Sequence, residues 1–295
     1  MKLEHTADVG ILIAVLLLLG FAVAWPALGP WEAVRGFAVE MVVLGATFFL
    51  ARQYLPWEDA PRERIVAPKW ELVMGGVGFL VFFVAWPLLL RSPDLVELAT
   101  NIMFANAALL AFTASIFALY RYSRRSWGLR WPTGRELLVL AAVAAVGIGL
   151  SLIFGSLLPG SESAMSQPAR PLMPGALLWS FINDLSSGNF VVVLVLGVFL
   201  LSVIGQELFF RVYLQARLAH FLPGRWALFA QAALFFAATL LPFYLWFADP
   251  PPATLFLTQA AVLSNGVLAG YSWRKTGSLP LLVLLHLLAF VRWGL

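Results

Sequence analysis

The chain is a succession of long apolar runs separated by short polar segments that hold most of its charge. The runs lie near residues 9–28, 37–51, 71–90, 99–120, 136–158, 188–210, 226–247, 254–273 and 278–294. Most approach the ~20 residues that a helix needs to cross a hydrocarbon core. Stretches such as Val191, Val192, Val193, Leu194, Val195 and Leu196 are apolar on every side. That excludes the alternating pattern of a membrane β-barrel. The pattern predicts an all-α, polytopic transmembrane helical bundle of about eight or nine spans, eight if one run is only buried or interfacial. Lys2 precedes the first run, but so do Glu4 and Asp8, and the run is long for a signal peptide. It reads as a retained helix.

Composition supports this reading. Hydrophobic residues make up 61% and charged residues 12%, where soluble domains carry about 25% charged residues. There is no cysteine, so disulfides, thiolate metal sites and a cysteine nucleophile are excluded. Lys and Arg crowd into the N-terminus and every second inter-run segment, leaving Arg35, Arg91, Arg170 and Arg292 on the other side. The positive-inside rule then predicts a multi-pass protein of the plasma membrane with a cytoplasmic N-terminus and an outside C-terminus.

Two inter-run segments are distinctive. Residues 121–132 are basic and carry Trp127 and Trp131, as suits topology setting with interfacial anchors or a site for anionic lipid or a partner. Residues 159–187 are the longest polar stretch, with Pro168, Pro171 and Pro174 before an apolar 177–182. They predict an outside loop with a short interfacial helix. No internal repeat is evident, which argues against an inverted-repeat transporter. The expected partners are membrane lipids and possible further membrane subunits or a membrane peptide; no nucleic-acid signature occurs.

Ionisable residues inside spans are functional candidates, because burying them is costly. Glu40, Glu207, Arg211 and His286 qualify. Glu207 and Arg211 stand four apart and can pair along a helix. A carboxylate and an imidazole facing one cavity could activate a water. Catalytic zinc needs three protein ligands, which one buried His and one Glu do not supply. No metal is therefore expected, no cofactor is indicated, and zinc is disfavoured. Asn101, Asn106, Gln231, Gln259 and Asn265 lie within runs and suit interhelical hydrogen bonds. Gln231 and Asn265 are candidates to line a cavity, and Gln231 shares a helix face with Thr239, eight residues on.

The sequence from Gln206 to Leu218, with Glu207 and Arg211, resembles the Glu-Glu-x-x-x-Arg motif of the CAAX protease and bacteriocin-processing (CPBP) family of intramembrane proteases. Residues 266–286 resemble that family's last segment, a glycine-rich helix, a Thr-Gly-Ser-Leu turn and a His-bearing helix. Ala233 to Thr239 stands at the place of the Phe-x-x-x-His motif, and Trp127 to Pro132 resembles a pre-core element. The resemblance covers about residues 125–295 as a protease-like core. Residues 1–124, about four spans, lie outside it.

The resemblance implies a membrane endopeptidase that holds a water among Glu and His residues. Gln206 takes the position of the water-activating Glu, while Glu207 matches the second Glu. Thr239 takes the motif-two His position, or Leu240 if Phe236 sets the register. His286 matches the motif-three His, and Phe290 stands where Asn or Asp is expected. Gln206 cannot accept a proton at neutral pH, and losing one general base typically costs about 100- to 10,000-fold in rate. The expected function is a non-catalytic pseudoprotease that binds a peptide, lipid or partner. The alternatives are an active divergent protease using Glu207, His286 and Arg211, and a structural subunit of a larger membrane complex.

Overall fold

The computed structural model describes the backbone of residues 30–55, 65–90, 95–157, 190–246 and 252–294, and the side chains of 42–55, 65–90, 101–150, 153, 197–239, 241, 262–263 and 265–289. Among the described residues every regular element is helical. Helix α1 is Pro30–Tyr54. Helix α2 runs through Pro68–Leu80, a wider π turn Val81–Ala85, and Trp86–Leu89. Helices α3 and α4 are Leu95–Leu119 and Gly134–Leu157. Helix α5 comprises Phe190–Glu207, a π turn Leu208–Leu214, and Gln215–Phe221. Helices α6, α7 and α8 are Gly224–Trp246, Pro252–Thr276 and Leu279–Gly294.

Each apolar run from the second onward coincides with a helix. The first run, the loop at 159–187 and its interfacial segment lie outside the described residues. Pro68–Leu89, Asn101–Leu119 and Gly197–Phe221 are long and apolar enough to cross a membrane, and Leu279–Ala289 is a shorter apolar helix.

Local chemistry sets the helix ends. Pro68 opens α2, where its missing N–H costs nothing. Thr133 and Glu136 form a capping box at the start of α4: the Glu136 carboxylate accepts from Thr133 N at 2.7 Å, and Thr133 Oγ1 accepts from Glu136 N at 3.3 Å. Gly277, at φ 61°, separates α7 from α8 in a conformation that a side chain would strain.

Helix α5 forms the centre. Phe209, Phe210 and Tyr213 on its π turn are fully buried. Phe210 meets Phe83 of α2 at 5.5 Å and Phe235 of α6 at 5.2 Å between ring centroids. Tyr213 meets Phe117 of α3 at 5.9 Å. Helices α3 and α5 approach so closely at Gly205 that a β-carbon there would collide with the Asn106 carbonyl, the small-residue contact by which membrane helices pack. Residues before 125 thus share one continuous core with those after it. Phe49, Leu89 and Leu138 project outward, as suits a lipid environment.

Candidate active site

Glu207 ends the regular part of α5, and the π turn begins at the next residue. Such widened turns often mark functional positions, because they reorient side chains relative to an α-helix. Arg211 lies within the turn, and its Nε is 3.3 Å from Glu207 Oε2. From α8, His286 brings Nδ1 to 2.5 Å from Glu207 Oε1. All three side chains are buried. Phe235 of α6 forms a shared wall: the Arg211 guanidinium carbon is 3.9 Å from its ring centroid, and the His286 ring meets it edge-on at 6.0 Å. Helices α5, α6 and α8 therefore meet at this group, with Arg211 and His286 on the carboxylate and Phe235 behind them.

The pairing is electrostatically tight but poor in hydrogen bonds. Glu207 Oε2 and all three guanidinium nitrogens of Arg211 have no hydrogen-bond partner among the described residues. Gln231 is fully buried, with both amide atoms in the same condition. It packs by Gly270 together with Gln215, whose Nε2 donates to the Gly270 carbonyl at 3.0 Å.

The other sequence candidates fall in different places. Asn265 lines a cavity of about 50 Å³ with Thr47, Val143 and Leu285, between α1, α4, α7 and α8. Neither Gln231 nor His286 is among its walls. Gln206 is half-buried. Thr239 donates its hydroxyl to the Phe235 carbonyl at 2.7 Å, so it bonds its own helix. The side chains of Glu40, Leu240, Gln259 and Phe290 lie outside the described residues. Among the described residues no group of three or more metal-ligating acidic, His or Cys side chains occurs.

Sequence reasoning missed a second buried charge cluster. Arg217, expected in a cytoplasmic segment, is buried because α5 continues to Phe221. Its Nη2 and Nε contact Glu71 Oε2 at 2.5 and 2.9 Å. Glu71 Oε1 accepts from Tyr122 Oη at 2.7 Å and from Ala67 N at 3.1 Å. Tyr213 donates its hydroxyl to the Glu71 carbonyl. Burial, then the bond to Glu71, pushes the Tyr122 phenol up to about 12. The available signal was a lone carboxylate in the first turn of an apolar run, among loops rich in cations.

Residues 188–290 match the family model described as type II CAAX prenyl endopeptidase Rce1-like. This is consistent with a CPBP family protein, as the motifs implied. The Rce1-like region contains Glu207, Arg211, Thr239 and His286, and so the whole convergence of α5, α6 and α8. Helices α1 to α4 lie outside the match. No curated protein and no solved structure matches the chain.

Proposed function

We propose that the protein is a CAAX-protease-like membrane protein that has lost peptidase chemistry and uses its Rce1-like bundle to bind a membrane-associated peptide or partner. The observation that carries this reading is the engagement of Glu207, one oxygen against His286 at 2.5 Å and the other against Arg211 at 3.3 Å. The imidazole takes up Oε1, which leaves Oε2, beside the Arg211 cation, as the oxygen able to accept from a water. Gln206 stands beside Glu207 in place of the acid, and Thr239 is bonded to its own helix. General-base help is thus missing at the two positions where the motifs expect it.

The test uses the full chain in lipid nanodiscs with a farnesylated CAAX peptide as probe. The peptide is expected to bind without being cleaved. Gln206→Glu combined with Thr239→His is expected to raise cleavage above background. Cleavage by the unaltered chain, abolished by both Glu207→Gln and His286→Ala, would reject the proposal.

That outcome belongs to a second reading, which one observation favours. A carboxylate on Nδ1 fixes the orientation and tautomer of a catalytic imidazole in His-dependent hydrolases, and Glu207 holds His286 by that atom.

A further inference from the structure

We propose that the segment joining α3 to α4 is a binding platform for the phosphate headgroup of an anionic membrane lipid. The segment contains Arg121, Arg124, Arg125, Arg130 and Arg135, but these cations do not play one role. Arg130 is committed internally. Its Nε and Nη2 donate to the Thr276 carbonyl at 3.1 and 2.8 Å, closing the end of α7, and Nη2 contacts Glu136 at 2.5 Å. The other four are exposed and form no side-chain hydrogen bond or ion pair among the described residues.

The backbone beneath them is fixed. Gly128, at φ 70°, lies under the Trp273 ring, where a β-carbon would collide. Its carbonyl accepts from Leu279 N at 2.9 Å, and Ser278 Oγ donates to the Arg130 carbonyl at 2.8 Å. The free cations are therefore carried on a scaffold fastened to the turn that starts the His286 helix, and binding there does not require ordering a loop.

Apolar exposure identifies the partner. Trp131 is 83% and Leu129 56% exposed within this cationic segment. The hydrogen bonds of Tyr122 Oη to Val66 N and Glu71 draw the start of α2 alongside, with Trp70 70% exposed and Lys69 beside it. Exposed tryptophan interleaved with arginine suits the headgroup level of a bilayer, where the ring meets the acyl boundary and the guanidinium meets phosphate. An acidic soluble partner would not account for the tryptophans. Clusters of four or more cations at such a position attract anionic lipid.

The experiment exposes the purified full chain, in mild detergent, to equimolar phosphatidylglycerol and phosphatidylcholine, and counts bound lipids by native mass spectrometry. Phosphatidylglycerol is expected to be enriched on the order of tenfold, and raising the salt should reduce the enrichment. Arg121→Gln/Arg124→Gln/Arg125→Gln/Arg135→Gln should bring the two lipids near parity, whereas the same four positions changed to Lys should keep the preference. Arg130 stays unaltered throughout, because it supports the fold. No preference in the unaltered chain, or full preference in the Gln variant, would overturn the proposal and leave the cations a topological role. Parity between lipids with tight binding of a polyglutamate peptide would overturn it in favour of an acidic protein. If the Gln variant does not fold, the lipid preference of the unaltered chain and its salt dependence still decide.

Discussion

Helix α5 contributes Arg211 and Arg217 to two buried Glu–Arg pairs, and they are built on opposite principles. In the Glu71–Arg217 pair every carboxylate oxygen accepts at least two hydrogen bonds, and the guanidinium donates onward to the Tyr213 and Val212 carbonyls. Aromatic rings of Phe117, Tyr122 and Tyr213 surround the cation. In the Glu207–Arg211 pair the cation sits on one ring, Phe235, and its nitrogens have no hydrogen-bond partner among the described residues. Burying charge is costly unless the remaining donors and acceptors are satisfied. The first cluster meets that condition and the second does not.

The difference marks the Glu71–Arg217 cluster as a structural device and sets the proposed site apart from it. Glu71 lies outside the Rce1-like match and Arg217 within it. The satisfied pair therefore fastens the N-terminal helices to the matched bundle, beside the π turn that carries Arg211. The unsatisfied group places ionisable residues in an arrangement that packing alone would not favour. An unsatisfied buried polar group in a folded protein calls for an explanation, and a catalytic or binding role is one of those open to it.

The largest expected effect tests the fastening. Glu71→Ala leaves Arg217 buried without its carboxylate, which typically costs about 3–5 kcal/mol. Unfolding in mixed micelles should show a loss of that order. A loss below about 1 kcal/mol would mean that Arg217 reaches water, and the contrast between the clusters would fail.

Tyr122→Phe comes next. It removes one hydrogen bond to a charged acceptor, about 1.5–3 kcal/mol by general experience and toward the low end for a partly exposed residue. The same change alters the pH response. The Tyr122 phenol is raised from 10.0 to about 12 in the folded chain. An elevated folded-state value gives stability that is complete below the unfolded value and lost as pH rises through the folded one. The unaltered chain should thus lose stability between about pH 10 and 12, and Tyr122→Phe should lose less over that interval. Parallel pH curves would show that the Tyr122 phenol is raised neither by burial nor by Glu71.

Apolar runs located the helices because in a bilayer every backbone group must be satisfied within its own helix, so hydropathy and secondary structure coincide. The spacing of Glu207 and Arg211 revealed their pairing because four residues make about one turn. The capping motif of Thr133 and Glu136 was equally local, though its meaning appears only when Arg130 is seen on Thr276, 146 residues away. The Glu71–Arg217 pair has the same separation and no local signature. The π turn was hidden too, since no residue pattern marks where a helix widens. The family motifs did bring Glu207 and His286 into view together, across 79 residues, which periodicity alone could not.

The smallest expected effect is the sharpest test of the comparison. Glu207→Gln combined with Arg211→Met removes both buried charges, which meet at one 3.3 Å contact while the guanidinium stacks on Phe235. Methionine keeps much of the volume and can remain on the ring. Glutamine keeps an amide oxygen toward His286, so neither charge is left buried without its partner. Replacing both members of a buried ion pair by uncharged, packed side chains is often neutral or stabilising. The stability change should therefore lie within about 1 kcal/mol of zero, allowing for a stacking contribution of roughly 0.5–2 kcal/mol that the ring contact supplies. Peptide binding should fall even so, because the group is held at the site without helping the fold. A loss of stability as large as that of Glu71→Ala would show both pairs to be equal parts of the scaffold. A small stability change with unaltered peptide binding would show the Glu207–Arg211 pair to be dispensable, and the binding surface would have to lie on other walls of the bundle.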